Sequence, residues 1–181
     1  MTRRGDWMQT AKGRQFWPLD PRSEEVHLDD IAHALSMACR FGGNCLRFYS
    51  VAEHSVHLAR LCAPENALWG LLHDASEAYL ADVPRPLKKW LTGYREAEKA
   101  VEAAICARFG LPRQMPDEVK ALDCAMLAAE QVQVMEVAPE PWDPLPPPAR
   151  VTIECWSPER ARYEFLRAFD ELPKPFPMTT P

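Results

Sequence analysis

From Leu28 onwards, apolar residues recur at helical spacing through most of the chain. In LDDIAHALSMACRF, Leu28, Ile31, Ala32, Leu35 and Cys39 share one stripe, and Asp29 and Asp30 lie near its start, where carboxylates complement the positive end of a helix. Gly42-Gly43-Asn44 is expected to end it. SVAEHSVHLARLC resumes the period with Val51, Ser55, Leu58 and Cys62, and Pro64 opens a turn into the apolar run ENALWGLLHDASEAYLA. Asp82-Val83-Pro84-Arg85-Pro86 breaks the pattern, because proline lacks an amide hydrogen and disfavours helical angles in the residue before it. Two more amphipathic helices are predicted over about 93–109 and 116–137. The second carries Val119, Leu122, Cys124, Met126 and Leu127, with Asp123 among them.

The ends read differently. Residues 10–24, TAKGRQFWPLDPRSE, have no helical period and suggest an extended arm or short strand. APEPWDPLPPPAR must be an extended, polyproline-like connection. ARVTIECW alternates like a strand, and SPERARYEFLRAFDEL predicts a last helix with Ser157 as N-cap and Pro158 at its first position. RQFWPL and RVTIECW are expected to pair as a small antiparallel ribbon. The fold class is therefore all-α in its bulk: a compact helical bundle with a small β-ribbon from the arm and the segment near 150–156. It is read as one domain over 1–181, with a core at about 28–137.

Composition narrows the function. No apolar stretch approaches the ~20 residues of a membrane span, and MTRRGDWMQT lacks the apolar centre of a signal peptide, so a cytoplasmic protein without membrane partners is expected. The six cysteines are widely spaced and form no CxxC pair, as for free thiols in a reducing compartment. A net charge of −5 argues against a broad surface for nucleic acid and favours a small-molecule substrate.

Four residues stand out chemically. His73-Asp74 interrupts the apolar run LWGLLHDASEAYL, His54 lies on the preceding helix and Asp123 on a later one. Polar groups in such company need something polar to bind. Two imidazoles and two carboxylates suit one divalent ion (Mn, Co, Fe, Ni, Zn or Mg), which compensates negative charge and acidifies water. Glu77, three residues after Asp74, falls one turn along the same face and is the candidate general acid or base. His27 and His33 are read as caps or core residues, His57 as accessory or structural, and Glu53 as solvated.

The segments YSVAEHSVHLARL, GLLHDASEAYLADVPRPLK and EVKALDCAMLAAE resemble the three signature segments of the HD-domain metal-dependent phosphohydrolases, most closely the branch with bacterial 5′-deoxynucleotidases. The resemblance implies His54, His73, Asp74 and Asp123 as metal ligands and Glu77 as the catalytic glutamate. It further implies Arg40, followed by Phe41, at the phosphate, and Asp82 beside the sugar. The expected activity is hydrolysis of a (deoxy)nucleoside 5′-monophosphate to nucleoside and phosphate, a step of nucleotide metabolism, by a homo-oligomer of at least two subunits. Two alternatives stay open. One is a deoxynucleoside triphosphate triphosphohydrolase, with Arg85, Lys88 and Lys89 gripping a longer polyphosphate; the other is a non-catalytic nucleotide-binding or interaction module. The last histidine is His73, so the further histidines of the binuclear branch are missing and one metal is favoured.

Overall fold

The arm folds on itself before the helices begin. A computed structural model describes residues 2–140, 142 and 144–173 of the protein. Strands β1 (Met8–Gln9) and β2 (Gln15–Phe16) pair antiparallel, with Met8 opposite Phe16. Gly13, at φ 75°, allows the reversal, since other residues are strained in the left-handed region. Phe16 is fully buried, and its ring stacks on Tyr79 with centroids 3.7 Å apart. The hairpin is thereby fixed to the helical body.

Among the described residues eight α-helices follow: α1 (Leu28–Met37), α2 (Val51–Leu61), α3 (Ala67–Leu72), α4 (Glu77–Leu80), α5 (Arg85–Lys88), α6 (Tyr94–Phe109), α7 (Asp117–Val134) and α8 (Pro158–Glu171). The protein is mostly helical. Helix α2 is its axis. Ser50 caps it by accepting a hydrogen bond from the Glu53 amide at 3.1 Å, and residues 51–59 are all buried. A helix hidden on every side must be enclosed by others, and α1, α3, α7 and α8 do so. Close approach of α3 depends on Gly70, where a Cβ would lie 2.8 Å from Cys62 Sγ and 3.2 Å from Ala59 Cα. Helix α8 begins as the sequence predicts, with Ser157 accepting from the Arg160 amide at 3.3 Å and Pro158 at the first position. It buries Ala161, Phe165 and Phe169, spaced by four, against α1 and α2. Among the described residues no helix is long and apolar enough to cross a membrane.

Expectations about the ribbon and Glu53, the end of the first helix and the helix across His73 need correction. The ribbon joins the two halves of the arm, and residues 151–157 form no strand, because side chains have taken their backbone groups. Gln133 spans the Val151 carbonyl and the Ile153 amide, each at 3.0 Å. Glu53 accepts from the amides of Glu154 and Cys155, both at 3.0 Å, and of Trp156 at 2.6 Å. Glu53 is thus fully buried and not solvated. Second, α1 stops at Met37, short of the glycines. Residues 38 and 39 turn extended because Arg40 N–H donates to the Tyr49 carbonyl at 2.8 Å and Val51 N–H to the Ala38 carbonyl at 3.0 Å. Third, the run ENALWGLLHDASEAYLA, expected as one helix after the turn at Pro64, breaks at His73. The amides of Ala75 and Glu77 donate to carbonyls three residues back, Leu72 at 3.0 Å and Asp74 at 2.9 Å, which tightens the chain into successive turns.

Candidate metal centre

The turn at 73–76 places the histidine-aspartate pair at the end of α3, facing α2. His73 Nδ1–H donates to the Gly70 carbonyl at 2.8 Å, one turn back. This bond fixes the tautomer and leaves Nε2 for the site interior. His54 is oriented in the same manner from the opposite side, its Nδ1 bonded to the Glu130 carboxylate at 2.5 Å. The two Nε2 atoms therefore face each other, 3.1 Å apart.

Carboxylates complete the cluster. Asp74 Oδ2 lies 3.1 Å from His73 Nε2 and 3.8 Å from His54 Nε2. Asp123 Oδ1, from α7, lies 3.3 Å from His54 Nε2 and 3.8 Å from His73 Nε2. Donor atoms of His54, His73 and Asp123 all fall within 4.8 Å of one another. Such a cluster could hold a metal ion. Both histidines are buried, whereas the Asp123 side chain is 41% exposed. Solvent and any ligand would therefore approach past Asp123. Two nitrogens and two oxygens match a borderline or hard divalent cation.

Behind the donors lies a polar support that the sequence reading missed. Glu130 is fully buried and accepts from Tyr49 Oη at 2.9 Å and Arg40 Nη2 at 3.0 Å as well as from His54. Burial opposes its charge, but Arg40 and His54 outweigh that and hold its carboxyl down to about 2. A signal was present: Glu130 lies seven residues after Asp123, two helical turns along one face of α7, inside the apolar run AMLAAEQV. Arg40 donates from Nη1 to Asp74 at 3.3 Å as well, which places its guanidinium beside the donor set. Burial disfavours the Asp74 charge too, yet His73, Arg40 and His54 hold its pKa far below the ordinary carboxylate value.

The other candidates surround this centre. Glu77 opens α4, buried, and burial together with the negative charges of Asp74 and Asp82 raises its carboxyl to about 9. Its Oε2 has no hydrogen-bond partner among the described residues. Asp82 follows Ala81, which ends α4, and is only partly buried. Phe41 holds a left-handed conformation, φ 55°, with its ring 5.4 Å from the Arg40 guanidinium carbon and 6.3 Å from the Trp142 ring. His57 stands apart from the cluster: Nε2 is 3.4 Å from Glu53 and the ring packs on Trp156 at 5.1 Å, a structural role.

Known proteins bear on this arrangement. No protein-family model matches the chain. It is 40% identical over 125 residues to the uncharacterized protein YfdR of Escherichia coli, covering 69% of this chain and 70% of that one. The chain belongs to the YfdR family. An uncharacterized protein of Rhodobacter capsulatus is 34% identical over 143 residues, 73% of each chain. More distantly, a 5′-deoxynucleotidase of Pasteurella multocida is 29% identical over 129 residues, 68% of this chain and 62% of that protein. Within the YfdR family this chain thus presents a metal-competent histidine-aspartate cluster and a weak likeness to a nucleotide hydrolase.

Metal uptake carries a proton signature. Burial and Arg40 disfavour charge on His54, but Glu130 and Asp123 dominate and raise the imidazole to about 10. At neutral pH it is an imidazolium, and a cation on Nε2 must displace its proton. Binding is expected to release about one proton from this residue and to weaken as pH falls. Calorimetric titration with Mn²⁺ in two buffers of different ionisation enthalpy measures the count; a value near zero would contradict the role given to His54.

Proposed function

We propose that this protein is an HD-type phosphohydrolase that cleaves a (deoxy)nucleoside 5′-monophosphate into nucleoside and inorganic phosphate. The observation that carries this reading is the convergence of His54, His73, Asp74 and Asp123, with Arg40 bonded to one side of the donor set. The distant likeness to a 5′-deoxynucleotidase supports it. A divalent cation, when held by these residues, supplies charge compensation for a phosphoryl group and makes water more acidic.

The chain's own groups would do the rest. Arg40, with its planar fork of donors, suits a phosphate oxygen and lies within reach of the Asp74 carboxylate. Hydrolysis forms a bond from water oxygen to phosphorus and breaks the bond to O5′, so one proton must leave the water and one must reach the departing alkoxide. Glu77 is the group for both. Raised to about 9 by burial and by Asp74 and Asp82, it carries a proton at neutral pH, and a cation nearby would lower it toward the working range of a general acid and base. Asp82, beside Glu77 electrostatically, is assigned to the sugar, where its carboxylate would crowd a 2′-hydroxyl and favour deoxyribose. The triphosphatase alternative has less support, since Lys88 is already bonded to Glu98 at 2.8 Å.

The test is a panel of ribo- and deoxyribonucleoside mono- and triphosphates incubated with metal-loaded protein, with phosphate and triphosphate quantified separately. Phosphate from monophosphates, fastest with deoxyribose, is the expected result. Release of triphosphate would give the alternative, and nucleotide binding without product would make the chain a binding module. In the same assay Glu77→Gln is expected to keep its metal and lower kcat by roughly 10²- to 10⁴-fold, the range for a general acid–base group. Loss of metal in that variant would instead make Glu77 a ligand.

A further inference from the structure

Glu77 is a buried carboxylate whose two oxygens are unequally served. Its Oε2 has no hydrogen-bond partner among the described residues, whereas Oε1 faces Lys88 Nζ at 3.9 Å, inside ion-pair range though beyond a hydrogen bond. Buried polar atoms are nearly always bonded, and a catalytic role is one reason for an exception. The orientation of such a carboxylate has to be imposed from outside. Lys88, the last residue of α5, is itself held firmly: Nζ donates to Glu98 Oε1 on α6 at 2.8 Å and lies 5.7 Å from the Tyr94 ring centroid. Tyr94 in turn donates from Oη to the Ala81 carbonyl at 3.2 Å. Ala81 sits at φ 63°, ψ 158°, a region nearly reserved for glycine, immediately before Asp82. Strain there persists only because neighbouring contacts enforce it, and the Tyr94 bond is one of them.

We propose that Lys88 is a positioning residue for Glu77: anchored by Glu98, its ammonium holds the carboxylate through Oε1 and leaves Oε2 open for proton transfer. The clasp also ties Glu77 to the loop carrying Asp82, so the two groups assigned to the reaction and to the sugar share one support. This rests on the phosphohydrolase reading, in which Glu77 moves the proton. It gives Lys88 a task different from gripping a polyphosphate, for which the ammonium would have to leave Glu98.

The experiment compares wild type, Lys88→Met, Lys88→Arg, Glu77→Gln and the Glu77→Gln/Lys88→Met double variant, each metal-loaded, on a deoxynucleoside monophosphate. Lys88→Met is expected to lower kcat about tenfold, the middle of the range for coupling between contacting charged groups, with KM and metal content unchanged. Lys88→Arg should recover most of the loss, and the double variant should fall no further than Glu77→Gln alone. A loss of equal size in both backgrounds would make Lys88 a staple of the fold, and a change confined to KM would make it a substrate contact; either overturns the proposal. The contact itself is read without turnover, from the ¹⁵N–H signal of the Lys88 ammonium in Glu77→Gln protein free of nucleotide. A shifted signal is expected, and an unmoved one rejects the clasp even if no nucleotide proves to be a substrate. Absence of turnover in wild type with a shifted signal would reject the phosphohydrolase reading while leaving the clasp intact.

Discussion

Asp74→Asn is expected to leave the protein folded, empty of metal and inactive. The change keeps the size of the side chain and removes the charge that faces both imidazole nitrogens at 3.1 and 3.8 Å. A neutral amide is a much poorer donor to a hard divalent cation, and changes one step further out already cost 10- to 100-fold in metal affinity, so a loss beyond about 100-fold is the expected scale. The same carboxylate accepts from Arg40 Nη1 at 3.3 Å, so the variant also weakens one of the two contacts that hold the arginine assigned to phosphate, leaving its bond to Glu130. Metal content by mass spectrometry and phosphate release decide the matter together. Retained metal with a full rate would remove Asp74 from the centre.

Glu53→Ala should produce a large loss of stability without touching a donor atom. Glu53 is fully buried and satisfies three amides of residues 154–156 while lying 3.4 Å from His57 Nε2. Truncation leaves the buried Trp156 amide and the part-buried amides of Glu154 and Cys155 unpaired, at about 1–3 kcal/mol each, partly relieved by entering water. A net cost of roughly 3–5 kcal/mol is expected, which for a chain of this size lowers Tm by roughly 6–20 °C. Glu53→Gln should cost less, since one acceptor oxygen remains. Equilibrium denaturation in urea measures both, and a cost for alanine under about 1 kcal/mol would show that the carboxylate is dispensable.

Much of the helical layout was legible because it depends on local pattern. Gly93 and Gly110, both left-handed, bracket α6 where the periodicity starts and stops, and Ser157-Pro158 mark the start of α8. His54, His73, Asp74 and Asp123 were visible as candidates because each is polar in apolar surroundings, and the fold brings the four together. What stayed hidden depends on partners remote in sequence. Glu53 reaches amides 101 to 103 residues away, and nothing near it distinguishes it from a solvated glutamate. Glu130 bonds Arg40 and Tyr49 across 90 and 81 residues. Residues 151–157 carry a strand-like alternation, yet their amides found side-chain acceptors first. The break at His73 was invisible for a related reason: its tightened turns are sustained by tertiary contacts, and the propensities of HDASE are helical throughout.

Glu53 and His54 are consecutive residues of α2. One gathers the backbone just before α8, and the other presents a nitrogen to the metal centre. A single peptide unit therefore joins the seam that closes the protein to the atoms that would do its chemistry. On the proposed phosphohydrolase reading, heating, proteolysis of the proline-rich connection or substitution along 151–157 is expected to lower turnover before the bulk helices melt, making that rate the more sensitive gauge of the tail's attachment.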